Sequence, residues 1–273
     1  MNAKLGVLAG GGPLPSAVVA AARARGQACF VIAFEGQTDP ATVMDVEHAW
    51  LHLGQAGESF RRLREADVGE ICMIGPLRRP SIAELRPDWR AAQFLARVGV
   101  RAFGDDGLLS AIVKEIEAEG FRVVGAETIL AELLARPGVY GRRQPSADDR
   151  IDIRRGIADL QALGPVDVGQ AVVVQAGLVL GVEAIEGTDA LIARCATLRR
   201  DTDGGVLVKI SKPGQERRVD LPAIGATTVE AVAAAGFSGI AIEARRALVV
   251  NQAAVIAAAD SRGVFVVGVD LAP

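Results

Sequence analysis

Aromatic residues are scarce in this chain: eight phenylalanines, two tryptophans and one tyrosine make up 4% of its 273 residues. A protein that holds nucleic acid by stacking bases on rings needs more of them. An excess of one charge is missing too. The chain has 30 Lys and Arg against 33 Asp and Glu, a net charge of -3 and a pI near 5.6, so no global field draws a polyanion and no nucleic-acid partner is expected. The three cysteines, Cys29, Cys72 and Cys195, lie far apart inside apolar stretches, form no CxxC or other zinc spacing, and read as reduced core residues. The only histidines, His48 and His52, stand four apart, but Ala49 follows His48 where a zinc-protease helix needs glutamate, and AWLHL has the pattern of a strand. Neither a GxSxG nucleophile elbow nor the Gly-Lys-Ser/Thr ending of a P-loop occurs. Long apolar runs are absent as well: AAVIAAA at 253–259 is far short of the roughly 18 residues of a membrane span and stops at Asp260. The first apolar run is interrupted by Gly10, Gly11, Gly12 and Pro13 before it resembles an export signal, so a soluble, cytoplasmic protein is expected.

What is present is apolar. Hydrophobic residues make up 50% of the chain and glycine 31 positions, enough for a substantial core with many tight turns, and the length favours two domains. KLGVLAG reads as a buried strand, GGPLP as a turn and SAVVAAARARG as an amphipathic helix stopped by Gly26. The alternation continues through ACFVIAF, AWLHL, the helical ESFRRLREADV, the strand EICMIG, the helical GDDGLLSAIVKEIEAEG and the strand FRVVG. Strands and helices in this order predict a parallel sheet covered on both faces, a Rossmann-like α/β domain over residues 1–136. Residues 137–150 are polar, rich in Pro, Gly and Arg and without periodicity, which predicts a linker. A second α/β domain, 151–273, is expected to be mixed: QAVVVQAGLVLGVEAI joins two β-rich runs through Gln175, Ala176 and Gly177, a hairpin signal that the first half lacks. GTDALIARCATLRR and ATTVEAVAAAG read as helices, and GGVLVKI, GIAIEA, ALVV and GVFVVGV as strands.

Five places could carry chemistry. Gly10, Gly11 and Gly12 follow a strand and precede a helix, a crevice where main chain can approach an anion, although the spacing is not GxGxxG. Asp105 and Asp106 open a helix, where capping alone accounts for at least one of them. Gly75 begins GPLRRP, whose Arg78 and Arg79 could grip phosphate or simply be solvated. GVEAIEGTD places Glu183, Glu186 and Asp189 between a strand end and a helix start. The fifth, VKISKPGQERRVDLPAIGATT at 208–228, packs Lys209, Lys212, Arg217 and Arg218 near the carboxylate Asp220. Cations for nonbridging oxygens and an acid for a cation or water suit a diphosphate ester, though a charged hairpin has the same composition.

These segments, LAGGGPLP, GPLRRP, FGDDGLL, LGVEAIEGTD and VKISKPGQERRVDLPAIGATT, occur in the order seen in one family. The chain resembles the UDP-2,3-diacylglucosamine pyrophosphatases of the LpxI type along nearly all of its length. The resemblance implies a hydrolase of lipid A biosynthesis that cleaves the substrate diphosphate to UMP and 2,3-diacylglucosamine 1-phosphate, with Mg²⁺ as cofactor and two α/β domains holding the ligand between them. It also implies Asp220 as the catalytic acid and metal ligand, and Gly11, Gly12, Leu14, Gly75, Arg78, Arg79, Asp105, Asp106, Gln170, Thr188, Asp189, Lys209, Lys212 and Thr227 as substrate-binding residues. Glu216 follows Gln215 where the family pattern is expected to read Gln-Asp, which leaves a metal role for that position open. The partner implied is an amphiphilic sugar-nucleotide lipid; a peripheral contact with the inner membrane and the oligomeric state stay open. Two other classes compete: a nicotinamide-dependent oxidoreductase, with Glu35 at the end of the second strand placed for a ribose hydroxyl, and a non-catalytic sugar-nucleotide sensor.

Overall fold

The computed structural model describes residues 3–78, 85–98, 105–200, 204–212, 218–219 and 221–271, with the side chains of Asp105 and Asp106 outside that description. The chain divides into two compact α/β units.

The first unit runs β1 (Lys4–Ala9), α1 (Leu14–Ala24), β2 (Cys29–Phe34), β3 (Glu47–Leu51), α2 (Ala56–Glu65), β4 (Val68–Ile74), α3 (Trp89–Val98), α4 (Asp105–Ala118), β5 (Arg122–Val123) and the single turn α5 (Ala126–Ile129). Its five strands are parallel in the order β3-β2-β1-β4-β5. All six residues of β2 are buried, as an apolar run without alternation requires of a strand covered on both faces. One face packs Phe30, Ile32, Leu51 and Ile71 against Phe60 and Leu63 of α2 and Val113 and Ile116 of α4. The sequence pattern did not signal α3, whose apolar stripe is narrow and whose first residue, Trp89, is exposed.

The second unit runs β6 (Gly138–Tyr140), α6 (Ala147–Leu163), β7 (Ala171–Gln175), β8 (Leu178–Val182), α7 (Thr188–Ala196), β9 (Val206–Lys209), β10 (Ala223–Ile224), α8 (Ala226–Ala234), β11 (Gly239–Glu243), β12 (Leu248–Val249), α9 (Gln252–Arg262) and β13 (Phe265–Val269). Its six-stranded sheet has the order β6-β13-β11-β9-β7-β8, with β13, β11 and β9 parallel and antiparallel strands on either side; β10 and β12 form a separate parallel pair. Alternate residues sort to the two faces. Val172, Val174, Val206 and Val208 pack against Ile153 and Leu160 of α6, whereas Val173, Leu207, Ile240 and Ile242 pack against α7, α8 and α9. The expected hairpin is present: Gln175 pairs with Leu178 across Ala176 and Gly177, both with positive φ, and the buried Asp152 of α6 accepts their two N–H groups at 3.1 and 2.7 Å.

The 137–150 stretch is not free chain. It holds β6, which pairs with β13, and Ser146, which caps α6 in a reciprocal bond with Asp149, so its polar residues serve capping and an edge strand. In the other direction, Arg218 and Val219 group with the first unit, where Val219 packs on the core cluster and Arg218 Nη1 lies 2.6 Å from Glu117 Oε1. Among the described residues no helix is long and apolar enough to cross a membrane.

Candidate functional site

In the first unit the strand order reverses direction between β1 and β4, so a crevice opens beyond the carboxyl ends of these strands, the usual ligand position of an open parallel sheet. Gly10 and Gly75 face each other across it. A Cβ on Gly10 would stand 2.3 Å from Gly75 O, and one on Gly75 2.6 Å from Gly11 O, so both positions exclude any larger residue. Gly10 N donates to Ile74 O and Gly11 N to Pro76 O, each at 2.8 Å, which means that these glycines serve close approach of two main chains and their amides are engaged within the protein. Gly12 has φ +74, and Leu14 opens α1 directly after Pro13. The side-chain amide of Gln37 clamps the main chain of Arg78, accepting from its N at 2.9 Å and donating to its O at 3.2 Å, while the Arg78 side chain is exposed. Asp105 and Asp106 form the first turn of α4; Arg79 lies outside the described residues.

The second unit has a different edge. Lys209, the last residue of β9, has Ala171 of β7 and Ile242 of β11 as strand neighbours, and it is only 7% exposed. Its Nζ donates to Thr188 Oγ1 at 2.8 Å and to Ala223 O at 3.4 Å. Thr188 Oγ1 donates in turn to Glu183 Oε1 at 2.5 Å, and Glu183 Oε2 accepts from Gln170 N at 3.1 Å. A buried charge is tolerated only when paired and hydrogen-bonded, and this chain of contacts meets that condition for both Lys209 and the buried Glu183. The Gln170 Oε1 atom is buried and has no hydrogen-bond partner among the described residues. Next in sequence, Ser211 N donates to Glu243 Oε2 at 2.9 Å, the Ser211 hydroxyl bonds the same oxygen, and Lys212 Nζ lies 2.6 Å from Asp167 Oδ1.

Two helices begin at this edge. α7 starts at Thr188 behind Gly187 and α8 at Ala226 behind Gly225; neither glycine offers a side chain to the first turn, and Gly225 N donates to Thr228 Oγ1 at 3.4 Å. Glycine at an N-cap leaves the first amides and the positive end of the dipole for an outside acceptor, the arrangement that favours an anion. Asp189 and Thr227 sit exposed in these first turns. The structure thus gathers Gln170, Thr188 and Lys209, with Lys212 on the next loop, and places Asp189 and Thr227 at the two helix starts. Asp220 and the 213–217 stretch lie outside the described residues. Sequence reasoning left Glu183 as one carboxylate among several and did not single out Glu243, Ser211 or Asp167; an apolar run that ends in Glu, as in LVLGVE and GIAIE, was the available signal. Glu186 pairs with Arg194 at 2.7 Å on the surface, and that guanidinium lowers its carboxyl below the ordinary value, in keeping with a solvated turn residue.

The three thiols are buried and free. Burial pushes Cys72 up to about 12 and also raises Cys29 and Cys195, so none is a ready thiolate at neutral pH. Among the described residues no three His, Cys, Asp or Glu side chains gather into a metal-ligand set.

Residues 4–133 match the LpxI N-terminal domain and residues 136–267 the LpxI C-terminal domain. The chain belongs to the LpxI family. It is 41% identical over 274 residues to the UDP-2,3-diacylglucosamine pyrophosphatase LpxI of Caulobacter vibrioides, with 98% of each chain covered. The two LpxI domains meet at 133–136, close to the division between the compact units at Ala131 and Glu132.

Proposed function

We propose that the chain hydrolyses the diphosphate of UDP-2,3-diacylglucosamine, releasing UMP and 2,3-diacylglucosamine 1-phosphate in lipid A biosynthesis. The observation that carries this reading is full-length similarity to a pyrophosphatase of that name, joined to a buried lysine at a strand end beside two helix starts with glycine N-caps. Lys209 and the first-turn amides of α7 and α8 supply positive potential for phosphate oxygens, and Lys212 adds a second cation on the adjoining loop. Glu183 and Thr188 act on Lys209: they hold its ammonium in one direction and offset the cost of burying it.

Water attack on a phosphorus forms one P–O bond and breaks the bridging P–O bond, with the water protons passing to solvent and to the leaving phosphate. Such a step needs positioning and charge stabilisation more than a covalent nucleophile, consistent with the lack of a serine elbow and with protonated thiols. A magnesium ion fits this donor chemistry. It takes hard oxygens, one or two carboxylates and substrate phosphates, and the unpartnered Gln170 Oε1 is an oxygen of that kind at the lysine edge. Asp220, from the family resemblance, and Gln170 are the residues proposed to hold it. When bound, the ion would neutralise charge on the diphosphate.

The two acyl chains require an enclosed apolar surface, since burial is worth roughly 0.8 kcal/mol per CH₂. A cytoplasmic enzyme with a peripheral contact at the inner membrane fits such a substrate. The nicotinamide reading is weakened by the glycine spacing and by the engagement of the Gly10 and Gly11 amides. The test is turnover of UDP-2,3-diacylglucosamine by the full chain, with and without chelator. UMP and acylated sugar phosphate in equal amounts, lost on chelation, are expected; binding without turnover would leave a sensor, and turnover unaffected by exhaustive chelation would remove the metal.

A further inference from the structure

A cavity of about 700 Å³ lies wholly within the first unit, beyond the carboxyl ends of β2 and β3, and is lined by Glu35, Trp50, His52, Gln55, Arg61 and Trp89 among others. Its volume falls in the range of small-molecule sites, although it is a broad groove open to solvent, and it lies at the strand-end edge of a parallel sheet where ligands bind. Both tryptophans of the chain line it. Trp50 is half-buried, whereas Trp89 is 78% exposed, a large apolar ring presented to solvent.

The exposure is built rather than incidental. Trp89 opens α3, and the preceding Asp88 is fixed from three sides: its N donates to Gly54 O at 3.0 Å, and its carboxylate accepts from Gly57 N of α2 at 2.7 Å and Ala91 N of α3 at 2.8 Å. A Cβ on Gly54 would stand 2.0 Å from Leu85 O, so the wall that carries Trp89 also depends on a glycine. Opposite, Glu35 follows the last residue of β2 and lies 3.4 Å from His52 Nδ1, with its side chain half-exposed. Two residues further on, Gln37 O lies 3.1 Å from where a Cβ on Gly11 would be, so the loop at 35–37 connects the cavity to the glycine crevice.

A flat ring to stack and a carboxylate at the end of the second strand, beside a crevice shaped by close main-chain approach, together select one class of ligand. We propose that this cavity binds the nucleoside half of a ribonucleotide, with the base against Trp89, the ribose hydroxyls donating to Glu35, and the 5′ side toward Gly11. An acyl chain does not suit a wall of Glu35, His52, Gln55 and Arg61. Two sources share this chemistry: the uridine of the chain's own substrate, in which case the assignment rests on the hydrolase reading above, or a free nucleotide acting from a separate site.

Because both tryptophans line the cavity, intrinsic fluorescence of the full chain reports its occupancy. Titration with UMP is expected to give a saturable change in emission. Calorimetry is expected to show affinity weakened about tenfold by Trp89→Ala and by a smaller factor in Glu35→Gln, with Trp89→Phe restoring most of the loss, as base stacking implies. If the substrate's uridine is the occupant, UMP competes with UDP-2,3-diacylglucosamine, and Trp89→Ala raises KM about tenfold while kcat changes little. If a free nucleotide is the occupant, AMP changes the emission and UMP does not compete. Emission unmoved by UMP and AMP, or UMP binding undiminished in Trp89→Ala, would overturn the assignment. Absence of turnover with the emission change intact would instead overturn the hydrolase reading and leave the cavity assignment standing.

Discussion

The carboxyl-end edges of the two units are made of different material. In the first unit Gly10 and Gly75 bring two main chains together and the polar surface is backbone. In the second, Lys209, Thr188 and Glu183 form a buried charged chain beside two helix starts. The glycine edge is sterically rigid and electrically mild, so it can shape and exclude. The lysine edge carries a formal charge out of water, held there by the Thr188 and Glu183 chain, and a charge so held is placed to meet a charged ligand. On the proposed function, the contrast puts the heavier electrostatic work on a diphosphate at the lysine edge, and it predicts that lesions at the two edges fail in different ways.

The largest effect is expected at Asp220→Ala, which should lower turnover on the order of 100-fold or more while leaving the melting temperature near that of the unchanged protein. A steady-state rate and a thermal melt on the same sample decide it; near-normal turnover would give Asp220 a structural role. Next comes Gly10→Ala, a stability lesion. Its methyl would meet main-chain atoms at 2.3 to 2.7 Å, which cannot move aside as a flexible side chain can, so a cost of about 3 kcal/mol is expected in urea unfolding. The matched change in the second unit, Gly225→Ala, meets only Thr227 Oγ1 at 4.0 Å and should cost under about 1 kcal/mol as an N-cap substitution. Equal costs would erase the distinction between the two edges.

The smallest effect concerns a group remote from both. The backbone N–H of Arg142, and then its guanidinium, hold the Asp260 carboxyl below its ordinary value. A depressed carboxylate adds stability that is present above its unfolded value and is lost as pH falls through the folded one. Asp260→Asn should therefore lower the melting temperature slightly near pH 7, and the difference should shrink as the pH falls below the ordinary carboxylate range. A difference that persists in acid would mean that shape, not charge, matters there.

Much of the first unit was legible because a parallel sheet writes itself as buried apolar runs separated by glycine turns: KLGVLAG, ACFVIAF and EICMIG each became a strand. The hairpin at Ala176 and Gly177 was legible for the same reason, since the turn demands residues that accept positive φ. α6 was not. It is long but polar overall, with Asp152 and Gly156 on its buried side, the latter because a Cβ there would meet Val208 at 2.7 Å, so its helical stripe is blunted in sequence. At the site, Lys209 and Thr188 are 21 residues apart and their contact is made by sheet topology, which no local spacing encodes. The carboxylate that completes the chain, Glu183, stood among other acids; the apolar run LVLGV before it is the one signal that separates it from Glu186, and burial makes the difference plain.

The central claim is that the buried charge at the second edge works on the phosphates. Lys209→Gln tests it most directly, because the amide keeps a donor for Thr188 while removing the charge. Measured as kcat at saturating UDP-2,3-diacylglucosamine on a protein whose melt shows it folded, the variant is predicted to turn over about 100-fold more slowly. A folded variant with turnover near that of the unchanged chain would contradict the account.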